Sequence, residues 1–139
     1  MTMTTTGLRI TAIHNQRTGA RDLNDEYVII LNESTQAQSL AGYVVTSRTA
    51  GRRPDCSYTL PNRVYTEGQS LGGWTCGPGA LVFVRSGVGR DQYYPKTASE
   101  PAQFHFYMGR RDFAWDIAGD QVYLRHPHGQ FVTEPFPVP

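Results

Sequence analysis

Long apolar runs are missing from this 139-residue chain. The longest, Tyr27 to Leu31, is strand-sized, far short of the roughly 20 residues a membrane-spanning helix needs. Cysteine is scarce. Cys56 and Cys76 lie about 20 positions apart and lack the Cys-x-x-Cys half-sites of structural zinc. Their spacing leaves a disulfide or two thiols open, and a reducing compartment favours the thiols. Charge excess is also lacking. Thirteen Lys plus Arg against 12 Asp plus Glu give a net charge of +1, so no global field points to nucleic acid or a membrane. Lysine is represented by Lys96 alone beside 12 arginines, which reads as compositional bias rather than as a functional signal. The start, Met1 to Gly7, carries neither the basic nor the apolar region of a secretory signal, so a cytoplasmic protein is the expectation.

What is present describes a turn-rich globular domain. The length suits one domain that buries roughly two-thirds of its unfolded surface, enough to fold without a metal or a disulfide. At 39% hydrophobic and 18% charged residues, the composition fits neither disorder nor a coiled coil. The 14 Gly and 9 Pro interrupt the chain too often for long helices. Leu8, Ile10 and Ala12 alternate with polar residues, as in a half-buried strand. Glu26 to Asn32 and Ala80 to Arg85 are β-branched, aromatic and short, and read as central strands. Further strands are expected at Leu40 to Thr46, Ser57 to Leu60, Gln121 to Arg125 and Gln130 to Thr133, with His126 to Gly129 as a hairpin turn. Asn62 to Gly79 reads as loop, and Ser86 to Arg111 as a long irregular stretch with one extended piece at Phe104 to Tyr107. Residues 1–6 are expected to be disordered, 7–134 to form the domain, and the proline-rich 135–139 to run as a surface tail. These short strands define an all-β protein, an antiparallel sandwich or barrel, between which composition cannot choose.

The order of motifs is more specific. Leu8-Arg-Ile-Thr-Ala-Ile13, Asn24-Asp-Glu-Tyr-Val-Ile-Ile-Leu-Asn32 and Leu40-Ala-Gly-Tyr43 are followed by Leu81-Val-Phe-Val-Arg-Ser-Gly87. The end, Trp115-Asp-Ile-Ala-Gly-Asp-Gln-Val-Tyr-Leu-Arg125, completes the series. Together they resemble the lamin tail domain family over about residues 7 to 134, most closely its free-standing bacterial members. The resemblance implies an immunoglobulin-like antiparallel β-sandwich. In nuclear lamins such domains bind other proteins and, weakly, DNA or chromatin; in bacteria they also occur attached to nucleases, hydrolases and surface proteins. Two features depart from the pattern. Asp116 stands where Asn is usual, and the loops at 48 to 58 and 86 to 112 are long, which is where specificity would lie. Among the matching residues, Trp115 is expected in the core, Gly119 and Asp120 in a turn, and Glu26 as an acceptor for backbone or Arg donors. These are structural roles.

Chemistry-bearing groups are sparse. His126 and His128 flank one turn without a visible third metal ligand, so no metal or other cofactor is expected. His105 is a possible general base, but no Gly-x-Ser-x-Gly elbow or comparable nucleophile accompanies it, and a non-catalytic protein is the expectation. Gly87-Val-Gly89 lacks a following helix and is no nucleotide loop. Two features remain. Tyr93, Tyr94, Phe104, Phe106 and Tyr107 crowd a loop-like stretch, either as anchors of a protein interface or as a loop folded back on the sandwich. Arg52, Arg53, Arg110 and Arg111 form two pairs that would contact phosphates or other anions if the loops converge. The expected function is a binding or scaffolding module for another protein or a second copy, with nucleic-acid binding as the alternative.

Overall fold

Side-chain alternation decides how the strands stack. In β7 (Leu81–Arg85), Val82 and Val84 are fully buried while Phe83 and Arg85 stay half-buried on the other face. That is the period of two expected where one face of a strand meets a core. The computed structural model describes residues 7–15, 22–47, 56–66, 69–115 and 119–139. The remaining strands are β1 (Leu8–His14), β2 (Tyr27–Asn32), β3 (Val44–Ser47), β4 (Tyr58–Thr59), β5 (Arg63–Thr66) and β6 (Gln69–Gly72). They continue with β8 (Gln92–Tyr94), β9 (Gln103–Tyr107), β10 (Gln121–Arg125) and β11 (Phe136–Pro137). One 3-10 turn, Leu23–Asp25, precedes β2.

The strands form an immunoglobulin-like β-sandwich. A seven-stranded sheet runs in the order β1-β2-β7-β9-β8-β5-β6, and a four-stranded sheet in the order β11-β10-β3-β4. Most neighbours are antiparallel; β7–β9 and β5–β8 are parallel. Register lines up the inner residues: Val28 with Val84 and Ile30 with Val82, then Val82 with Phe104 and Val84 with Phe106. From the facing sheet come Val45, Val122 and Leu124, with Leu40, Leu60, Trp74 and Trp115 filling the remaining core. Trp74 packs on Phe104 and Phe106 at 4.7 and 5.0 Å between ring centroids, and its indole N–H donates to the Pro61 carbonyl at 2.7 Å. The bond matters because an unmet donor in the core is costly.

Four expectations change. Gln130 to Thr133 forms no strand, only a single bridge from Phe131 to Arg125. Asn62 to Gly79 is not simply loop: β5 and β6 pair as a hairpin inside it. The stretch from 86 to 111 carries two strands, β8 and β9. The last residues are not a surface tail, because Phe136 pairs with Val122, Val138 is buried and its N–H donates to the Asp120 carbonyl at 2.9 Å. Pro137 is tolerated there since β11 is an edge strand. The segment 1–6 lies outside the described residues.

Candidate binding cleft

Glu26 shows how the chain ties its elements together. It sits one residue before β2 and is almost completely buried. Its Oε1 accepts from the Ser86 hydroxyl at 2.5 Å, the Ala114 N–H at 2.6 Å and the Trp115 N–H at 3.2 Å. The Oε2 atom finds no partner among the described residues. One carboxyl thus holds together the start of β2, the end of β7 and the segment carrying Trp115. Trp115 is fully buried. Gly119 has φ +86°, a left-handed conformation that favours glycine, and Asp120 accepts from the Gln121 N–H at 2.8 Å. These four residues of the lamin-tail-like pattern shape the fold.

The outer face of the seven-stranded sheet is different in character. Rings from five neighbouring strands meet across it. His14 stacks on Tyr27 (5.0 Å between centroids), Tyr27 meets Phe83 (5.6 Å), Phe83 stacks on His105 (4.4 Å) and His105 meets Tyr94 edge-on (5.2 Å). The Arg85 guanidinium lies over this strip, 4.7 Å from the Tyr27 centroid and 5.5 Å from that of Phe83. Its Nη1 donates to the Asn24 carbonyl at 2.7 Å and its Nε to His105 Nδ1 at 3.3 Å. His105 Nδ1 is therefore an acceptor, which leaves Nε2–H to donate to Gln103 Oε1 at 2.9 Å. Burial, reinforced by the Arg85 charge, pushes the His105 pKa down to about 4, so the ring is neutral near pH 7. With both nitrogens engaged, this imidazole is not poised as a general base.

Above the strip opens a cleft of about 670 Å³. Arg85, Gln103, His105 and Tyr107 make its floor, Asp22, Asn24 and Asp25 one wall, and Tyr94, Pro95, Thr97, Glu100 and Pro101 the other. The first wall is fixed by its own turn: Asp22 accepts from the Asn24 N–H at 2.8 Å, and Asn24 Nδ2 donates to the Val88 carbonyl at 2.9 Å. Two glycines permit this closeness. A Cβ on Gly87 would come within 2.5 Å of Asn24 Oδ1, and one on Gly89 within 2.5 Å of the Tyr107 ring. Gly87-Val-Gly89 is thus a packing device for the wall and floor of the cleft.

The residues singled out in sequence are dispersed by the structure. Tyr94 stands half-exposed at the rim and Tyr107 on the floor. Tyr93 is partly buried against Phe104, 4.6 Å between centroids. Phe104 and Phe106 point inward, so as core side chains they offer no contact surface to a partner; strand parity puts them opposite His105 and Tyr107. Arg110 and Arg111 differ in their surroundings. Arg110 is buried and its Nη2 pairs with Asp112 Oδ1 at 2.6 Å, whereas Arg111 is exposed. Arg52 and Arg53 lie outside the described residues. Cleft-lining positions not among the candidate site residues read from the sequence include Arg85, Gln103, Asp25 and Glu100. For Arg85 and Gln103 the signal is that outward positions of their strands carry the rings of Phe83, His105 and Tyr107 where a solvated sheet face is ordinarily polar; Asp25 and Glu100, in connections, have no such signal.

Cys56 and Cys76 are both buried thiols, and burial pushes the Cys76 pKa up to about 12. No group of three or more His, Cys, Asp or Glu side chains suited to a metal ion forms among the described residues, where no helix is long and apolar enough to cross a membrane either. Comparison with protein-family models matches the Lamin Tail Domain over residues 2–134. The search of curated proteins returns no match.

Proposed function

The chain belongs to the lamin tail domain family, and from that premise we propose that it is a non-catalytic binding module that recognises another protein through the outer face of its seven-stranded sheet. One observation carries the reading: His105 and half-exposed Tyr94, the end of the aromatic strip, line a 670 Å³ cleft together with Tyr107. Tyr side chains at a concave surface supply large contact area at low entropic cost, which is why they concentrate in interface hot spots. The neutral, fully engaged His105 supports recognition rather than acid–base chemistry. The buried thiols support a cytoplasmic setting. Of the arginines on which the nucleic-acid alternative rests, Arg110 is buried and paired with Asp112.

The test is site-specific photo-crosslinking in cells. A photoreactive residue at position 94 should capture a discrete protein, and one at exposed Thr59 on the opposite sheet should not. Tyr94→Ala should weaken the recovered complex about thirtyfold, the equivalent of a 2 kcal/mol hot spot. Equal capture at both positions, or capture of nucleic acid at position 94, overturns the reading.

A further inference from the structure

The charges around the cleft do not balance. Among the described residues that line it, Asp22, Asp25 and Glu100 contribute three carboxylates to its walls and Arg85 one guanidinium to its floor, a formal charge of −2 on a chain whose net charge is +1. Neither Asp25 nor Glu100 forms an ion pair among the described residues. Arg85 is already committed: it donates to the Asn24 carbonyl and to His105, and its plane rests on Tyr27 and Phe83. The negative groups are left facing the opening, together with the rings of Tyr94 and Tyr107.

Resting on the reading above, we infer that this cleft seats a cationic side chain, lysine or arginine, from a basic segment of the partner protein. An ammonium or guanidinium group against the Tyr94 or Tyr107 ring gains cation–π attraction, and carboxylates at the mouth compensate the water it sheds. The walls come from opposite sides, Asp25 from the 3-10 turn and Glu100 from the connection between β8 and β9, so a side chain entering between them meets both. A basic segment also gains from steering, because the negative mouth stands out on a nearly neutral surface. An acidic segment would face the two unpaired carboxylates to reach one occupied guanidinium.

The test uses the intact chain and three fluorescein-labelled hexapeptides, all-lysine, all-glutamate and Gly-Ser, read by anisotropy at physiological ionic strength. The lysine peptide should bind and the other two should not. Asp25→Asn combined with Glu100→Gln should weaken binding at least tenfold, and Tyr94→Ala should do the same. Glu134→Gln, a carboxylate remote from the cleft, should leave it unchanged. Asp25, Glu100 and Tyr94 are exposed, so thermal unfolding should not shift and a folding defect is separable. Preference for the glutamate peptide, no binding of the lysine peptide, or equal loss in Glu134→Gln overturns the inference. If peptides fail while position 94 still captures a protein, the cationic anchor is wrong and the protein-binding reading stands. If both fail, both are wrong.

Discussion

Glu26→Ala should cost this domain more than most single substitutions. Its Oε1 gathers three donors, the Ser86 hydroxyl and the Ala114 and Trp115 N–H groups, at a site only 1% exposed. Truncation orphans all three. At about 1–3 kcal/mol for each buried unmet polar group, the gross penalty is about 3–9 kcal/mol. Removing a buried carboxyl whose second oxygen has no partner among the described residues returns part of that, so the net loss is about 3–5 kcal/mol. With an unfolding entropy of about 2.1 cal/mol/K per residue, the 139-residue chain has about 0.29 kcal/mol/K. Dividing gives a melting temperature lower by about 10–17 °C. Glu26→Gln keeps an oxygen for the same donors and should cost about 1–2 kcal/mol, or about 3–7 °C. Thermal unfolding by circular dichroism at neutral pH reads both. A Glu26→Ala protein melting within 2 °C of the parent, or a Gln variant less stable than the Ala variant, would refute the assignment of Glu26 as the tie between β2, β7 and the Trp115 segment.

Trp115→Ala should lose about 3–5 kcal/mol, because a fully buried indole leaves a cavity the sandwich cannot close; an unchanged melting temperature would remove it from the core. Native Cys76 should resist thiol reagents at pH 8 and react on unfolding, since burial holds its pKa near 12; rapid labelling of the folded protein would contradict that placement. His105 makes stability depend on pH. Its folded pKa of about 4 lies below the ordinary 6.5, so between those values the unfolded chain binds more protons and stability falls as the pH drops. Asp91 is raised by burial and acts in the opposite sense, so the quantity to measure is the difference between the parent and His105→Gln in denaturant unfolding from pH 7 to pH 4. The gap between the two should narrow toward pH 4, and a gap that stays constant would exclude the neutral, Arg85-linked imidazole.

Which parts of this were legible in the sequence depended on whether one face of a strand was uniformly apolar. β2 and β7 announce themselves because Val28, Ile30, Val82 and Val84 alternate with residues that tolerate partial exposure. β6 gives no such signal, since all four of its residues are exposed and only pairing with β5 makes it a strand. β9 misleads in the other direction. It carries aromatic rings on both faces, so Phe104, His105, Phe106 and Tyr107 read as one cluster until strand parity splits them between core and cleft. The pair Arg110 and Arg111 divides for a related reason: the two are neighbours in sequence, but one is buried against Asp112 and the other exposed. The cleft itself has no sequence spacing to detect, because its walls come from residues 22–25 and 94–101 and its floor from β7 and β9.

The cleft and the core are coupled through one peptide bond. Asp25 faces the opening and Glu26, the next residue, holds the buried hub. The turn that carries Asp25 is tied down by the Asp22 cap, by Arg85 on the Asn24 carbonyl and by Asn24 on the Val88 carbonyl, with glycine at position 87 leaving room for it. The wall is therefore positioned before any ligand arrives, and a ligand does not have to supply the ordering free energy of that segment. A consequence follows for Glu26→Gln, whose folding defect is small. If the hub fixes the wall, this variant should bind a cleft ligand more weakly than Glu134→Gln does, even at temperatures where both are fully folded. Isothermal titration with the lysine peptide at 15 °C reads the difference. Equal affinities would mean that the wall is held by its local turn alone, and that the burial of Glu26 serves only the sandwich.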